Sequence, residues 1–136
     1  MIFGIGCDVC ALDHLEKSLS GPHAAAFVRR VYGPAECTAL ALDTPLPAGH
    51  SGAHRLASAA ADFAAKEAFL KAAGTGLAGP FALCEIEAVR LESGAPEYRF
   101  SGGSARWMAA HGLRASLSLS HDGGMALAFC ILETET

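Results

Sequence analysis

The stretch RLASAAADFAAKEAFLKAA, at residues 55–73, is the clearest helical signal in the chain. It is rich in alanine and contains neither glycine nor proline, and the sequence Gly74-Thr75-Gly76 that follows favours the end of a helix. We therefore predict one long helix over residues 55–73, around which the other elements are arranged.

The segments on both sides of this helix predict short helices and strands. We expect helices at 11–19, 23–32, 34–42 and 103–112, and strands at 2–9, 84–92, 97–101, 113–121 and 125–133. The prolines and glycines of residues 43–54 predict a loop, and Asp122-Gly123-Gly124 predicts a hairpin turn. The last strand is apolar on both faces, which predicts a central position in its sheet. These elements indicate a single α+β domain over residues 1–136.

Composition limits the kind of protein that this chain can be. The 136 residues are 51% hydrophobic and 18% charged, which argues against a disordered chain. The formal net charge of −4 argues against general affinity for nucleic acid. The sequence shows neither an apolar run long enough to cross a membrane nor a secretory signal peptide, and we expect a cytoplasmic protein.

The five cysteines are scattered through the chain. Only Cys7 and Cys10 form a CxxC pair, and a second pair that would complete a zinc site is missing from the sequence. This pattern favours buried, reduced thiols over a metal site or a redox centre.

Glu67 interrupts the apolar face of the long helix. At 100° per residue it falls near the middle of a stripe formed by Leu56, Ala59, Ala60, Phe63 and Leu70. Burying a lone carboxylate is costly, which indicates a cation or donor beside it. The alternative is that the buried face of the helix is not centred on these residues, and that Glu67 lies at its exposed edge.

Asp8 lies near the end of the first strand, on the same face as Gly4 and Gly6. Glycines in a strand often mark the close approach of a ligand or of another backbone segment. Asp8 could instead simply cap the next helix. Taken with Glu67, however, it suggests a Mg²⁺ site, since two carboxylates with water and phosphate oxygens are a common environment for this ion.

Three other polar residues are candidates for the same site. His121 ends the apolar face of its strand just before a turn, where it could enter a cleft or be a hydrogen-bonded structural histidine. Lys71 could form an ion pair with Glu67 or with a phosphate. For Lys66, a position on the surface, where a lysine favours solubility, is a sufficient explanation. We assign Asp122 to the turn rather than to the metal.

Three motifs in this chain resemble a known family. GIGCDV at 4–9, FAAKEAFLKAAGTG at 63–76 and SLSHDGGMALA at 118–128 are similar to the signatures of the holo-acyl-carrier-protein synthase group of 4′-phosphopantetheinyl transferases. A weaker pattern is matched by Phe27, Arg30, Val31 and Glu36. The resemblance implies the fold of that superfamily, a small, mainly antiparallel sheet packed on one long helix and shorter helices.

The resemblance also implies an activity and a set of site residues. Such enzymes transfer the phosphopantetheine arm of coenzyme A to a serine of an apo acyl carrier protein and release adenosine 3′,5′-bisphosphate. It implies Mg²⁺ ligands at Asp8 and Glu67, a phosphate-neutralising Lys71 and a His121 at the cofactor site. The coenzyme contacts it implies are Lys66, Lys71, Gly74 and His121. It further implies a homotrimer with active sites between neighbouring subunits.

Two residues depart from the pattern of this family. Asp62 and His14 stand where relatives often have arginine. The first removes an expected coenzyme contact, and the second weakens a basic surface for the acidic carrier, which leaves Arg29 and Arg30 as its main candidates. The loop at 43–54 also replaces a more helical segment.

Other functions remain open on the sequence alone. The same carboxylates could serve a Mg²⁺-dependent nucleotide pyrophosphate hydrolase, and the fold could bind coenzyme A or a carrier without chemistry. A thiol-redox role for Cys7 and Cys10 is a third alternative. Within the transferase mechanism, the serine proton could pass to Glu67 or to a metal-bound water, and the carrier could belong to fatty acid, polyketide or peptide synthesis.

Overall fold

The computed structural model describes residues 1–45 and 49–135, which form five strands and five α-helices. The strands are β1 (Ile2–Ala11), β2 (Ile86–Arg90), β3 (Pro96–Phe100), β4 (Leu113–Asp122) and β5 (Met125–Thr134). The helices are α1 (Leu12–Ser20), α2 (Ala24–Val31), α3 (Pro34–Leu40), α4 (His50–Ala73) and α5 (Gly102–Ala110). Short 3₁₀ helices cover Gly76–Ala78 and Leu83–Glu85.

All strand pairs in the described residues are antiparallel. One sheet has the order β1-β5-β4, and β2 and β3 form a separate hairpin. The predicted α+β class and the central position of the last strand are therefore confirmed. The predicted turn is also confirmed, because Asp122 pairs with Met125 in the last rung of the β4–β5 hairpin. None of the described helices is both long and apolar enough to span a bilayer.

The long helix α4 begins five residues earlier than the sequence predicts. It starts at His50, so the predicted loop at 43–54 is shorter, and residues 46–48 of that loop lie outside the described residues. Both prolines of the segment precede this start, and a single glycine in a helix costs only about 1 kcal/mol relative to alanine. Helix formation therefore extends back to His50.

Close packing between β1 and α4 positions the polar residues that follow. The inner face of β1 carries Gly4 and Gly6, and a Cβ atom at these positions would overlap the carbonyl oxygens of Ala72 and Ala68, respectively. The glycines in this strand therefore admit another backbone segment, one of the two possibilities predicted for them. With the helix this near, Asp8 on the same face lies against the last three turns of α4.

The two faces of the three-stranded sheet differ sharply in exposure. The inner face, against α4, buries Ala126, Ala128, Cys130 and Leu132. The outer face leaves exposed the large apolar side chains Ile5, Val9, Met125, Leu127 and Phe129. Cys7 is also exposed there, so the prediction of a buried thiol is wrong at this position, although all five cysteines are free. In the single chain β5 is thus central in the sheet but covered on one face only.

Candidate active site

Asp8, Glu67 and Lys71 come together where β1 meets the C-terminal part of α4. The Lys71 ammonium donates to Asp8 Oδ1 at 3.0 Å and to the carbonyl oxygen of Cys7 at 2.9 Å. The Asp8 side chain is 19% exposed, while that of Lys71 is largely in solvent. The bond to Asp8 is the largest cause that raises the pKa of Lys71, so the ammonium stays charged.

Glu67 lies close enough to both residues for their charges to act on it. Burial is the first cause that raises the pKa of the Glu67 carboxyl, the negative charge of Asp8 raises it further, and Lys71 lowers it. The thiol of Cys10 is affected by the same pair, since burial and then the charges of Asp8 and Glu67 raise its pKa to about 11. The two predicted carboxylates therefore share one electrostatic environment, and Glu67 is partly buried rather than at an exposed edge.

A cavity opens beside this group. Its volume is about 400 Å³, and it is lined by Glu67, Leu70, Lys71, Gly74, Gly76 and Leu77. Gly74 ends α4 and forms part of this wall. Glu67, Lys71 and Gly74, which are predicted to contact the metal, a phosphate or the coenzyme, therefore border one cavity. The cavity is large enough for a small polar ligand.

The donor set at this position fits Mg²⁺ better than a metal that needs many protein ligands. Within residues 1–45 and 49–135 no group of three or more metal-binding side chains occurs, so the protein offers the two carboxylates alone. Mg²⁺ is usually bound by one or two carboxylates together with waters and substrate phosphates. Two carboxylates against the single ammonium of Lys71 also leave a negative charge for a cation to neutralise.

His121 lies elsewhere in the same chain. It is exposed at the end of β4 and borders a second cavity of about 180 Å³, together with Ala57, Ser58 and Ala61 of α4. From Ala61 to Lys71 a helix rises about 15 Å. The structure therefore brings Asp8, Glu67 and Lys71 together but does not bring His121 of the same chain to them.

The interpretation of Lys66 as a surface residue is wrong. Its side chain is fully buried, and its ammonium lies 2.5 Å from Glu36 Oε1 and donates to the carbonyl oxygens of Leu83 and Ile86. The charged group of Lys66 is enclosed in this way in the single chain, and the coenzyme contact expected for it stays a prediction. Helix α3 and the segment before β2 cover this side of α4 and enclose the side chain.

Asp62 and Arg90 form a pair that sequence reasoning missed. The Asp62 side chain is 3% exposed, and its Oδ1 accepts a hydrogen bond of 2.9 Å from Arg90 Nη2. Burial raises the pKa of Asp62 to about 7, whereas the charge of Arg90 lowers it. Arg90 also lines the cavity beside His121. The one signal for it in the sequence was the carboxylate at 62 itself, which requires a cation wherever it is buried.

The arginines predicted to meet a carrier protein lie in the last turn of α2. Arg29 and Arg30 are both exposed, and the Arg30 guanidinium lies over the Phe27 ring at 5.9 Å. Arg30 lines a cavity of about 300 Å³ with Lys17 and His23. The predicted pair thus belongs to a wider basic surface between α1 and α2.

Comparison with known proteins agrees with the resemblance seen in the motifs. A sequence model of the family described as "ACPS: 4'-phosphopantetheinyl transferase superfamily" matches residues 4–130. The chain is 35% identical over 135 residues to a "Holo-[acyl-carrier-protein] synthase" of Methylibium petroleiphilum, covering 99% of this chain and 98% of that protein.

Solved structures show the same likeness in three dimensions. The crystal structure of holo-[acyl-carrier-protein] synthase from Neisseria meningitidis aligns with a TM-score of 0.78 at 33% identity, over 98% of this chain and 100% of the other. A holo-(acyl-carrier-protein) synthase from Bacillus anthracis in complex with CoA (3',5'-ADP) aligns with a TM-score of 0.77 at 30% identity, over 99% of each chain. The likeness therefore covers the whole fold.

Proposed function

Because the chain belongs to the holo-acyl-carrier-protein synthase group of the 4′-phosphopantetheinyl transferase superfamily, we propose that it modifies an apo acyl carrier protein. It transfers the 4′-phosphopantetheine arm of coenzyme A to a serine of the carrier. The reaction depends on Mg²⁺ and releases adenosine 3′,5′-bisphosphate. The similar protein of Bacillus anthracis was solved in complex with CoA (3',5'-ADP), which supports coenzyme A as the donor.

The observation that carries this proposal is the group of Asp8, Glu67 and Lys71 beside an open cavity. Transfer to the serine forms a bond from its oxygen to the β-phosphorus and breaks the bridging phosphorus–oxygen bond of the pyrophosphate. The serine gives its proton to the Glu67 carboxylate or to water, and the bridging oxygen leaves with the adenosine bisphosphate. Negative charge therefore accumulates on the phosphates, and groups that neutralise it accelerate the step.

Each residue of the group has a role in this step. Asp8 and Glu67 would hold Mg²⁺, which supplies charge neutralisation for the pyrophosphate oxygens when it is bound. Lys71, whose ammonium is exposed and stays protonated, neutralises the phosphate that leaves. Leu70 and Leu77 add apolar side chains to the lining of this cavity.

We also propose that the complete site is shared between copies of the chain in a homotrimer. His121 lies too far along α4 to join Asp8 and Glu67 of its own chain, whereas a neighbouring copy could supply it. The exposed apolar outer face of the sheet supports such an assembly, because contiguous apolar patches of this kind are typical of protein–protein interfaces.

The carrier protein and the location of the enzyme complete the proposal. The exposed Arg29 and Arg30 form a basic surface suited to an acidic carrier, since charge complementarity increases association rates. Five free cysteines are typical of a reducing compartment, which supports a cytoplasmic location.

Mass spectrometry of the carrier tests this function directly. Purified enzyme is incubated with an apo acyl carrier protein, coenzyme A and Mg²⁺, and the carrier should gain the mass of one phosphopantetheine arm. A chelator should abolish the gain, and added Mg²⁺ should restore it. Release of adenosine bisphosphate without a carrier would instead indicate a hydrolase. Tight binding with an unmodified carrier would indicate a binding module, and either result would overturn the proposal.

A further inference from the structure

The ammonium of Lys71 lies between the carboxylate of Asp8 and an open cavity. It donates to Asp8 Oδ1 at 3.0 Å and to the carbonyl oxygen of Cys7 at 2.9 Å. The same residue lines the cavity of about 400 Å³ beside Glu67. Because a lysine side chain has a flexible four-carbon stem, the ammonium can bind the carboxylate on one side or a ligand in the cavity on the other.

The contacts with Asp8 and Cys7 are ones that the ammonium can leave. Both hydrogen bonds are exposed to solvent, and the Lys71 side chain is 57% exposed. Ion pairs in such positions are weak, because water competes for both partners. Lys66 is the opposite case, since its buried ammonium is held by Glu36 and by two carbonyl oxygens.

The ion pair between Lys71 and Asp8 also opposes the binding of a metal ion. Asp8 is one of the two proposed Mg²⁺ ligands, and it is the carboxylate that accepts the hydrogen bond from Lys71. A carboxylate that already balances an ammonium attracts another cation less strongly, and the ammonium repels that cation. Lys71 and a metal ion therefore compete for Asp8.

We propose that Lys71 is an exchangeable counter-ion of Asp8, which moves to the pyrophosphate of coenzyme A when the coenzyme and Mg²⁺ bind together. This inference rests on the proposed function, and it gives Lys71 a role before the transfer step. The pyrophosphate attracts the ammonium away from Asp8, and the carboxylate is then available to the metal ion. Metal and coenzyme thus increase each other's affinity, and by linkage the two factors are equal.

The charges of the site favour the arrival of both ligands over either one alone. Asp8 and Lys71 act on Glu67 in opposite directions, so the ammonium reduces the repulsion between the two carboxylates. Coenzyme A alone would draw Lys71 away and leave that repulsion unbalanced. Mg²⁺ alone would have to share Asp8 with the ammonium. With both ligands present, the metal ion balances the carboxylates and Lys71 balances a phosphate.

Calorimetric titration with Mg²⁺, with and without coenzyme A, tests the exchange in the absence of a carrier protein. In Lys71→Met the affinity of the coenzyme-free protein for Mg²⁺ should rise by about threefold to tenfold, because the competing charge is removed. The factor by which coenzyme A raises this affinity should fall by a similar amount. Lys71→Arg keeps the charge and should keep the lower affinity. Lys17→Met removes an exposed ammonium from α1 and is the matched control, which should leave both values unchanged.

Nuclear magnetic resonance of the lysine ammonium groups tests the ion pair in solution. Lys17, Lys66 and Lys71 are the only lysines of the chain, so the signals are readily assigned from Lys71→Arg and Lys17→Met. Without ligands, Asp8→Asn should shift the Lys71 signal and leave the Lys66 signal in place. An Lys71 signal that is identical in the wild type and in Asp8→Asn would overturn the proposed ion pair.

The outcomes separate this inference from the proposed function. A protein that transfers the phosphopantetheine arm, but whose Lys71→Met variant binds Mg²⁺ no more tightly than the wild type, would overturn the exchange alone. A wild-type protein that binds neither Mg²⁺ nor coenzyme A would overturn the proposed function and this inference with it. Thermal unfolding checks the fold of each variant. If Lys71→Met does not fold, Lys71→Gln replaces it, and an unchanged Mg²⁺ affinity in that variant would contradict the exchange.

Discussion

The carboxylates of Asp8 and Glu67 lie near each other and repel. The ammonium of Lys71 beside them reduces this repulsion. Lys71 supplies one positive charge at 3.0 Å from Asp8, which leaves the group with a net negative charge. A bound phosphate would add to this net negative charge, and the repulsion would increase unless a second cation were present. The arrangement is therefore suited to binding a divalent ion and a phosphate together.

Removing either carboxylate should abolish transfer while leaving the fold intact. We expect Asp8→Asn and Glu67→Gln each to reduce kcat/KM by about 100-fold or more, since each loses a ligand for charge stabilisation in the transition state. Carrier mass spectrometry measures the transfer, and circular dichroism with thermal unfolding checks the fold. Glu92→Gln, in an exposed turn, is the control and should keep full activity. Normal turnover in either site variant would contradict the metal site.

The binding of Mg²⁺ to the free enzyme should weaken as the pH falls. Burial and the charge of Asp8 raise the pKa of Glu67, so this carboxyl takes up a proton at a higher pH than an ordinary glutamate. A protonated carboxyl is a poor ligand, and metal binding must then release the proton. Calorimetric titration with Mg²⁺ at several pH values should show affinity decreasing through the raised pKa of Glu67. Glu92→Gln, in an exposed turn, should show the same dependence as the wild type, and an affinity that stays constant across this range would contradict the prediction.

At the scale of elements, the distance between β1 and α4 decides whether Asp8 and Glu67 can act together. Gly6 has no room for a Cβ beside the carbonyl oxygen of Ala68. Gly6→Ala should therefore push the helix away from the strand and destabilise the fold by about 1–3 kcal/mol, the usual cost of overpacking. It should also reduce transfer. Chemical denaturation measures the first effect, and Glu92→Gln in an exposed turn is its control. Unchanged stability and activity would contradict this account.

A second contact between elements joins α4 to α3 and to the start of β2. Lys66 is buried with Glu36 and with two backbone carbonyl oxygens, and Glu36 also accepts hydrogen bonds from the backbone amides of Gly33 and Ala88. Lys66→Met should cost about 3–5 kcal/mol, because it leaves a buried carboxylate without its cation. Denaturant unfolding compares it with Lys17→Met on the exposed face of α1, which should change stability by less than about 0.5 kcal/mol. A Lys66→Met protein as stable as the wild type would contradict the structural role.

The helices and strands, and the candidates Asp8 and Glu67, could be predicted because the sequence patterns that indicate them are local. The alanine-rich pattern indicates α4, and the glycines of β1 indicate that something approaches the strand next to Asp8. The environments of Lys66 and Arg90 were not predictable in this way, since their partners Glu36 and Asp62 lie 30 and 28 residues away along the chain. Periodicity within one helix does not show which neighbouring element will cover it.

At the scale of the whole molecule, two features support the proposed homotrimer. They are the exposed outer face of the sheet and the separation of His121 from Glu67 within one chain. Ile5 and Val9 are each about half exposed in the single chain, with values of 58% and 51%. Covering them with neighbouring copies removes apolar surface from water, which stabilises an oligomer. In a closed ring of copies, each chain presents one surface to one neighbour and a different surface to the other. One such interface can then join the His121 cavity of one copy to the Asp8 and Glu67 group of the next.

Mixing two inactive variants tests whether the site is shared. Glu67→Gln and His121→Ala should each lack activity alone, yet a mixed assembly contains some interfaces where an intact Glu67 faces an intact His121 of the neighbouring copy. Random exchange of equal amounts should restore about one quarter of the sites, as expected for a ring with head-to-tail contacts. Activity is measured after the subunits have been dissociated in mild denaturant and reassembled, and the double variant mixed with itself is the control. If Glu67 and His121 of the same chain formed the site, no mixture could contain both intact in one site, and activity would stay at the level of the control.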